Sequence, residues 1–261
     1  MRTLNIAATG MMAQQLNVEV ISNNIANLNT VGYKRSRAEF QDLMYQSQLR
    51  PGSPSSDQNT IVPAGIQLGL GVKPSAVGRI STQGPLNRTE NQYDVALDGK
   101  GYLVVTMPDG QSAYTRAGNF QLSPEGTIVT VDGYQVSPGI TVPENTREVM
   151  INRNGEVLAY LNGQTEPENV GQFEMAMFVN EAGLEAIGYN LFRETPASGI
   201  PLLGMPGQLG FAGVRQGYLE AANVNIVQEI TNLISAQRAY EMNSRVVEAG
   251  DQMLNTVAQM R

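Results

Sequence analysis

Cysteine, histidine and tryptophan are absent from the 261-residue chain. Without Cys or His there is no thiolate nucleophile, no Ser-His or Cys-His pair and no ordinary zinc site. The missing Cys also excludes disulfides, so cysteine usage says nothing about redox compartment. Long apolar runs are missing too: the longest, Met175 to Val179, has five residues, far short of a membrane span. No block of Lys or Arg occurs, and the formal net charge is −7, which argues against a nucleic-acid partner. At the N-terminus Asn5, Thr9, Gly10, Gln14 and Gln15 interrupt any apolar signal-peptide core, so no cleaved secretory signal is expected. No catalytic, metal-binding or cofactor-binding residue is expected. Pairs such as Asp94 and Asp98, or Glu166 and Glu168, read as solvated carboxylates near turns rather than as an acid–base couple.

The two ends, by contrast, carry matching patterns. Leu4, Met11, Val18 and Ile25 recur every seven residues, with Ala7, Ile21 and Leu28 in step and Gln14 breaking the second row. Near the other end Ile226, Leu233, Tyr240, Val247 and Leu254 keep the same interval. Apolar rows of this period form one face of a helix suited to packing on another helix, coiled-coil fashion. The spacing predicts helices from about 3 to 26 and from about 224 to 260. The first contains Gly10 and several Asn, poor helix formers. Its stripe offers roughly 1.5–3 kcal/mol per large side chain buried, against about 1–2 kcal/mol to order each residue. It is therefore expected to order only when neighbours cover it. An alternative is that the two helices pair with each other within one chain.

Between the ends the punctuation is that of β-structure. Turn signals fall at Pro108-Asp109-Gly110, Pro124-Glu125-Gly126, Asp132-Gly133, Asn154-Gly155, Asn162-Gly163 and Glu181-Ala182-Gly183. β-rich runs lie between them: Tyr102 to Thr106, Asn119 to Leu122, Ile128 to Val131, Val157 to Leu161 and Phe173 to Val179. Such regular turns predict an all-β domain, sandwich- or barrel-like. The fold class expected is α+β: terminal helices forming a coiled-coil-like core, a central β domain and an extended hairpin-like linker. The divisions are 1–33 (helix), 34–75 (linker), 76–221 (β) and 222–261 (helix). The linker is rich in Pro, Gly and Ser, yet Ile61, Val62, Ile66, Leu68, Leu70 and Val72 partly alternate in its second half. Tether and packed hairpin are both open readings.

Two blocks carry a family resemblance. Ser22 to Arg35, SNNIANLNTVGYKR, resembles the N-terminal signature of the bacterial flagellar rod and hook proteins, and Gln216 to Gln259 resembles their C-terminal block. Arg50 to Pro74, Asp109 to Phe120 and Gly183 to Thr195 are similar to the distal-rod branch. The resemblance implies a structural subunit that self-assembles helically into a straight, hollow drive shaft carrying torque from motor to hook. In it both terminal helices line an inner tube and the β domain faces outward. It implies further copies of the chain as partners, with proximal rod subunits, hook or hook-junction proteins, the P- and L-ring bushing and the flagellar type III export apparatus. It also implies uncleaved export and a place in the basal body, crossing the periplasm to the outer membrane, with no membrane insertion.

Under that resemblance Asn23, Asn24, Asn27, Asn29, Gly32 and Tyr33, followed by Lys34, are a joint touching adjacent subunits, with Gln237, Arg238, Tyr240, Glu241 and Asn243 as the C-terminal counterpart; Arg238 and Glu241, at i,i+3, also read as a solvated pair. Together with Leu4, Met11, Val18, Ile21, Ile25, Leu28, Ile226, Leu233, Val247 and Leu254 they form the expected subunit interface. Alternatives are a proximal rod or hook subunit of the same family and, outside it, a glycan-binding β-protein. The linker insertion is expected to stiffen the polymer by reaching a neighbour. Deleting residues 50 to 74 should then leave polymerisation intact but yield curved or pliable rods in electron micrographs; straight rods from the deletion would refute the mechanical role.

Overall fold

A computed structural model of the chain describes residues 2–49, 64–164 and 166–259. The first part of the linker insertion, residues 50–63, lies outside the described residues. The chain is α+β and divides into two compact units.

One unit gathers residues 1–25, 36–78 and 225–261. It holds helices α1 (Arg2–Ala26) and α2 (Ile226–Gln259) and strands β1 (Ser36–Asp42), β2 (Tyr45–Leu49), β3 (Ile66–Gly69) and β4 (Val72–Arg79). Both helices run where the seven-residue rows predict. α2 begins at a side-chain cap: the Asn225 Oδ1 accepts the backbone N–H groups of Val227 (3.1 Å) and Gln228 (3.3 Å), filling donors that a first helical turn leaves open. β1 pairs with β4, and β2 pairs antiparallel with β3, with Tyr45 opposite Gly69 and a bulge before Leu49. Leu43 N–H to Gly71 O (2.8 Å) and Leu70 N–H to Met44 O (3.2 Å) bridge the two pairs. The result is one continuous two-stranded ribbon. Met44, Tyr45, Leu49, Ile66, Leu68 and Leu70 are exposed along it, so the ribbon has no core of its own, and an isolated two-stranded ribbon is marginal in water.

The other unit spans 26–35 and 79–224. Its strands are β5 (Leu86–Arg88), β6 (Val95–Asp98), β7 (Tyr102–Thr106), β8 (Ser112–Thr115), β9 (Gln121–Leu122), β10 (Ile128–Val129), β11 (Gln135–Val136) and β12 (Thr146–Ile151). They continue as β13 (Glu156–Leu161), β14 (Glu168–Gln172), β15 (Met175–Met177), β16 (Glu185–Gly188), β17 (Leu191–Arg193), β18 (Leu202–Gly204), β19 (Gly213–Gln216) and β20 (Tyr218–Glu220). The main sheet runs β16-β17-β8-β7-β11-β10-β9, with β15 joining β7 to β18; β12-β13-β14 form a second sheet, and β19-β6 and β20-β5 are pairs. The β-rich runs read from the sequence all hold a strand, and the glycine turns sit between strands as expected. One hairpin turn carries no glycine at its centre. Tyr189 and Asn190, both at positive φ (53° and 59°), connect β16 to β17, the left-handed pair that a tight two-residue hairpin requires.

The main core of this unit is filled by Val95, Leu97, Leu103, Phe120, Ile128, Val136, Ile140, Val157, Phe173 and Met175, among others. A second cluster is aromatic: the Tyr102 ring lies edge-on to Phe178 (6.0 Å) and Phe192 (5.7 Å), and Tyr114 edge-on to Phe178 (4.8 Å). Burial raises the phenols of Tyr102 and Tyr114, each from 10.0 to about 12, with Glu181 and Glu194 adding to the respective shifts. The folded chain keeps these protons where the unfolded chain has released them, so stability should fall as pH rises from 10 towards 12. In an absorbance titration of tyrosinate, Tyr102 and Tyr114 should ionise last and together with unfolding. A Tyr102→Phe, Tyr114→Phe chain should lose that late step; retention of the step in the double variant contradicts the assignment.

Candidate assembly interface

α1 and α2 run antiparallel along each other, because Gly10 faces Asn243, Leu4 faces Gly250 and Asn24 meets Glu229. The approach is close. A Cβ on Gly10 would sit 2.9 Å from Asn243 Nδ2, and one on Gly250 would sit 2.8 Å from Leu4 Cδ2. The buried seam of α2 consists of Glu229, Ala236 and Gly250, with Asn243 half-buried in the same seven-residue row. On α1 it is Ala7, Ala13, Val20, Ile21 and Asn24. Small side chains let the helix backbones come together, which is why the tightest row is nearly invisible to a search for large apolar residues.

Of the rows read from the sequence, Ala7 and Ile21 lie in this seam, the other helical members flank it, and Leu28 follows α1 in the β-rich unit. Leu4, Met11, Val18, Ile25, Leu28, Leu233 and Val247 are half-buried, Ile21 is buried, and Ile226, Tyr240 and Leu254 are exposed. Other large apolar groups point further out: Met12, Val227 and Met242 are 67%, 71% and 61% exposed. The α1 seam is covered by α2 of the same chain, so the first neighbour α1 needs is its own C-terminal helix. Gln237 is exposed, and no ion pair joins Arg238 to Glu241 among the described residues.

Asn24 is a hinge-pin within this unit. Its Oδ1 accepts the Ser36 N–H (2.8 Å) while its Nδ2 donates to Ser36 O (2.8 Å) and to Glu229 Oε2 (3.4 Å). The side-chain amide thus copies a strand partner for the first residue of β1.

The rest of the joint belongs to the β-rich unit and is consumed inside it. After α1, Asn27 O and Oδ1 accept from Thr30 N and Oγ1 (both 3.1 Å), closing a turn, while Asn29 stays exposed. Gly32, at φ +70°, donates its N–H to Glu220 O (2.8 Å), and a Cβ there would lie 2.7 Å from Ala117 N. Only glycine fits both the left-handed backbone and the space. Tyr33 is half-buried, and its carbonyl accepts the Asn223 N–H (3.4 Å). Asn223 also takes the Arg35 N–H on its Oδ1 (2.7 Å) and donates to Ile80 O (2.8 Å) and Thr82 O (2.9 Å).

Lys34 is 2% exposed and pairs with Glu220, itself 1% exposed. The Glu220 carboxylate also takes the Gly84 N–H (2.9 Å) and Arg116 Nη1 (3.0 Å). Two cations share one anion, and the surplus positive charge faces carbonyls: Lys34 Nζ donates to Thr82 O (2.9 Å) and Arg116 Nη2 to Gly99 O (2.7 Å). Burial lowers the Lys34 ammonium below its usual value although Glu220 beside it acts in the opposite direction. Glu220, Asn223 and Arg116 were not singled out in the sequence. Each lies inside a block that carries the resemblance, but a single polar residue in a short strand or loop leaves no periodic trace. Of the carboxylate pairs, Asp94 accepts from Asn91 (2.9 Å) and Asp98 pairs with Arg215 (3.0 Å), while Glu166 and Glu168 are exposed. No cluster able to hold a metal ion occurs among the described residues.

Comparison with known proteins covers both units. Three family models match: Flagella basal body rod protein at residues 4–34, Flagellar hook protein FlgE/F/G D1 domain at 96–159 and Flagellar basal body rod FlgEFG protein C-terminal at 215–260. The Flagellar basal-body rod protein FlgG of Caulobacter vibrioides is 56% identical over 261 residues, 100% of both chains. Its counterparts in Agrobacterium fabrum and Borreliella burgdorferi are 50% identical (99% of this chain, 98% of the relative) and 45% identical (97% and 96%).

The buried charge cluster generates a test of the joint. Glu220→Ala leaves two buried cations without their anion and should cost about 3–5 kcal/mol in denaturant unfolding of the full chain. Adding Lys34→Met to Glu220→Ala should recover part of the loss. Equal stability of Glu220→Ala and wild type would remove the cluster as an organising element.

Proposed function

Because the chain belongs to the FlgG family of flagellar basal-body rod proteins, we propose that its paired terminal helices and linker ribbon build a straight, hollow helical polymer that transmits torque. The chain is a structural subunit of the flagellar distal rod, and the family is one of structural rod proteins. In the proposed arrangement, residues 1–33 and 222–261 form a coiled-coil-like inner layer. Residues 76–221 face outward, and 34–75 form an extended hairpin between layers. The pairing of β2 with β3 supports the hairpin; the antiparallel helix contacts support the inner layer.

The observation that carries self-assembly is what remains uncovered once the helices have paired. Met12, Val227, Ile230, Ile234, Met242, Val246 and Met253 are exposed on α1 and α2. Each is expected to contribute roughly 1.5–3 kcal/mol when a neighbouring copy covers it. Identical subunits joined by unlike surfaces produce a non-closing helical lattice. The partners that follow are further copies, proximal rod subunits, hook or hook-junction proteins, the P- and L-ring bushing, and the flagellar type III export apparatus. The location is the rod as it crosses the periplasm to the outer membrane, after export without a cleaved signal peptide.

Within the expected interface, Leu4, Met11, Val18, Ile25, Ile226, Leu233, Tyr240, Val247 and Leu254 flank the seam and are placed to meet neighbours. Ile21, Asn24, Gly32 and Lys34 shape the joint from inside. Negative-stain microscopy of concentrated protein tests the reading: full-length chain should form straight rods, and a chain lacking 1–33 and 222–261 should stay monomeric. A full-length chain that remains monomeric at high concentration contradicts it.

A further inference from the structure

Beside the seam, α1 and α2 leave a groove of about 690 Å³ lined by Gln15, Val18, Glu19, Gln237, Tyr240 and Glu241. Its apolar parts are Val18 and the half-exposed Tyr240; its charges are the exposed carboxylates of Glu19 and Glu241. Glu19 meets a neutral partner, Gln15 Nε2 donating to Glu19 Oε1 at 3.2 Å. The groove is therefore acidic, and no ion pair neutralises it among the described residues.

The complementary charge is on α2 itself. Arg238 and Arg245 are exposed and seven residues apart, which places them on one face about 10 Å from each other along the axis. They follow the seam row of Ala236 and Asn243 by two positions, roughly 200° around the helix. The row points away from the seam and borders the groove only at Glu241, three residues from Arg238 and four from Arg245; Glu19 on α1 is outside that helical spacing. No acidic partner for either arginine occurs within 4 Å among the described residues, although Glu241 and Glu248 are within helical reach in sequence.

We propose that the groove receives the Arg238–Arg245 row of a second copy of this chain, guanidinium groups meeting Glu19 and Glu241 while their methylene stems lie on Val18 and Tyr240. The contact joins unlike faces of identical chains and so propagates rather than closes. Arginine suits the site because its planar fork binds carboxylates in two-point fashion and its stem packs on apolar surface. The inference rests on the self-assembly reading above and adds to it which faces meet.

Full-length protein tests it through the critical concentration for polymerisation, read by sedimentation. Reversing the groove (Glu19→Lys with Glu241→Lys) and reversing the row (Arg238→Glu with Arg245→Glu) should each raise that concentration about tenfold or more, since like charges then face each other. The chain with all four changes should return to within about threefold of wild type. Milder variants guard against misfolding: wild-type assembly should weaken with added salt, and Glu19→Gln with Glu241→Gln should flatten that dependence. Reversals that leave assembly unchanged, a helical four-change chain as defective as either pair, or an unaltered salt dependence in the Gln variant overturn the pairing. If wild-type protein itself does not polymerise, self-assembly fails instead.

Discussion

The Glu220 carboxylate is the constraint on which the β-rich unit's connections depend. It binds Lys34 from the segment after α1, Gly84 N–H from the segment after the ribbon, and Arg116 from the loop after β8. Glu220 itself lies just ahead of the segment that leads to α2. The two covalent links towards the helices, 26–35 and 221–224, are thereby fixed side by side, with Asn223 fastening Arg35 to Ile80 and Thr82. A hydrophobic plug of equal volume often stabilises as much as a buried ion pair. What it cannot supply is direction: each oxygen of Glu220 has named donors, and a shifted strand leaves a charge unpaired. The cluster thus sets position, and the aromatic and aliphatic clusters supply most of the stability.

The helical unit solves a different problem. Large apolar residues in the α1–α2 seam would bury more area, but they would hold the helices further apart. Ala7, Gly10, Ala13, Ala236 and Gly250 allow close contact, and apart from Val20 and Ile21 the Leu, Ile, Met and Val side chains of the pair stay at the margins and outward. The pair consumes little of its apolar surface internally. Much of what would be core in a monomeric helical hairpin is instead available to neighbours, in keeping with a rod subunit and unusual for a chain that works alone.

Signals that repeat were legible in the sequence. Seven-residue rows located both helices to within a few residues, and glycine turns located most hairpins of the β-rich unit. Two kinds of element left no such signal. β6 with β19, and β5 with β20, pair segments far apart in the chain, and neither member has a local hairpin partner to mark it. The β16–β17 turn uses Tyr189 and Asn190 at positive φ, a conformation for which glycine is the usual cue. At the interface the α1 row holding Ala7 and Ile21 marks the seam, whereas the α2 row of large residues runs beside it. A seam in which Val20 and Ile21 are the large apolar members and Ala, Gly, Asn and Glu make up the rest is set by how closely two backbones approach, and hydropathy carries no record of that distance. Lys34 was legible only as part of a motif; its role needed Glu220, a residue nearly two hundred positions away.

The same topology has a consequence for when the chain becomes competent to assemble. Leu4 packs on Gly250, Gly10 on Asn243 and Asn24 on Glu229, so α1 has no covered seam until the last forty or so residues are present. α1 is also a weak helix by composition, with Gly10 and several Asn. Contacts of such large sequence separation form late, because the loop must close before they contribute. The β-rich unit has many local hairpins and can form without the helices' contacts. A chain that lacks its last forty or so residues therefore leaves the α1 seam uncovered.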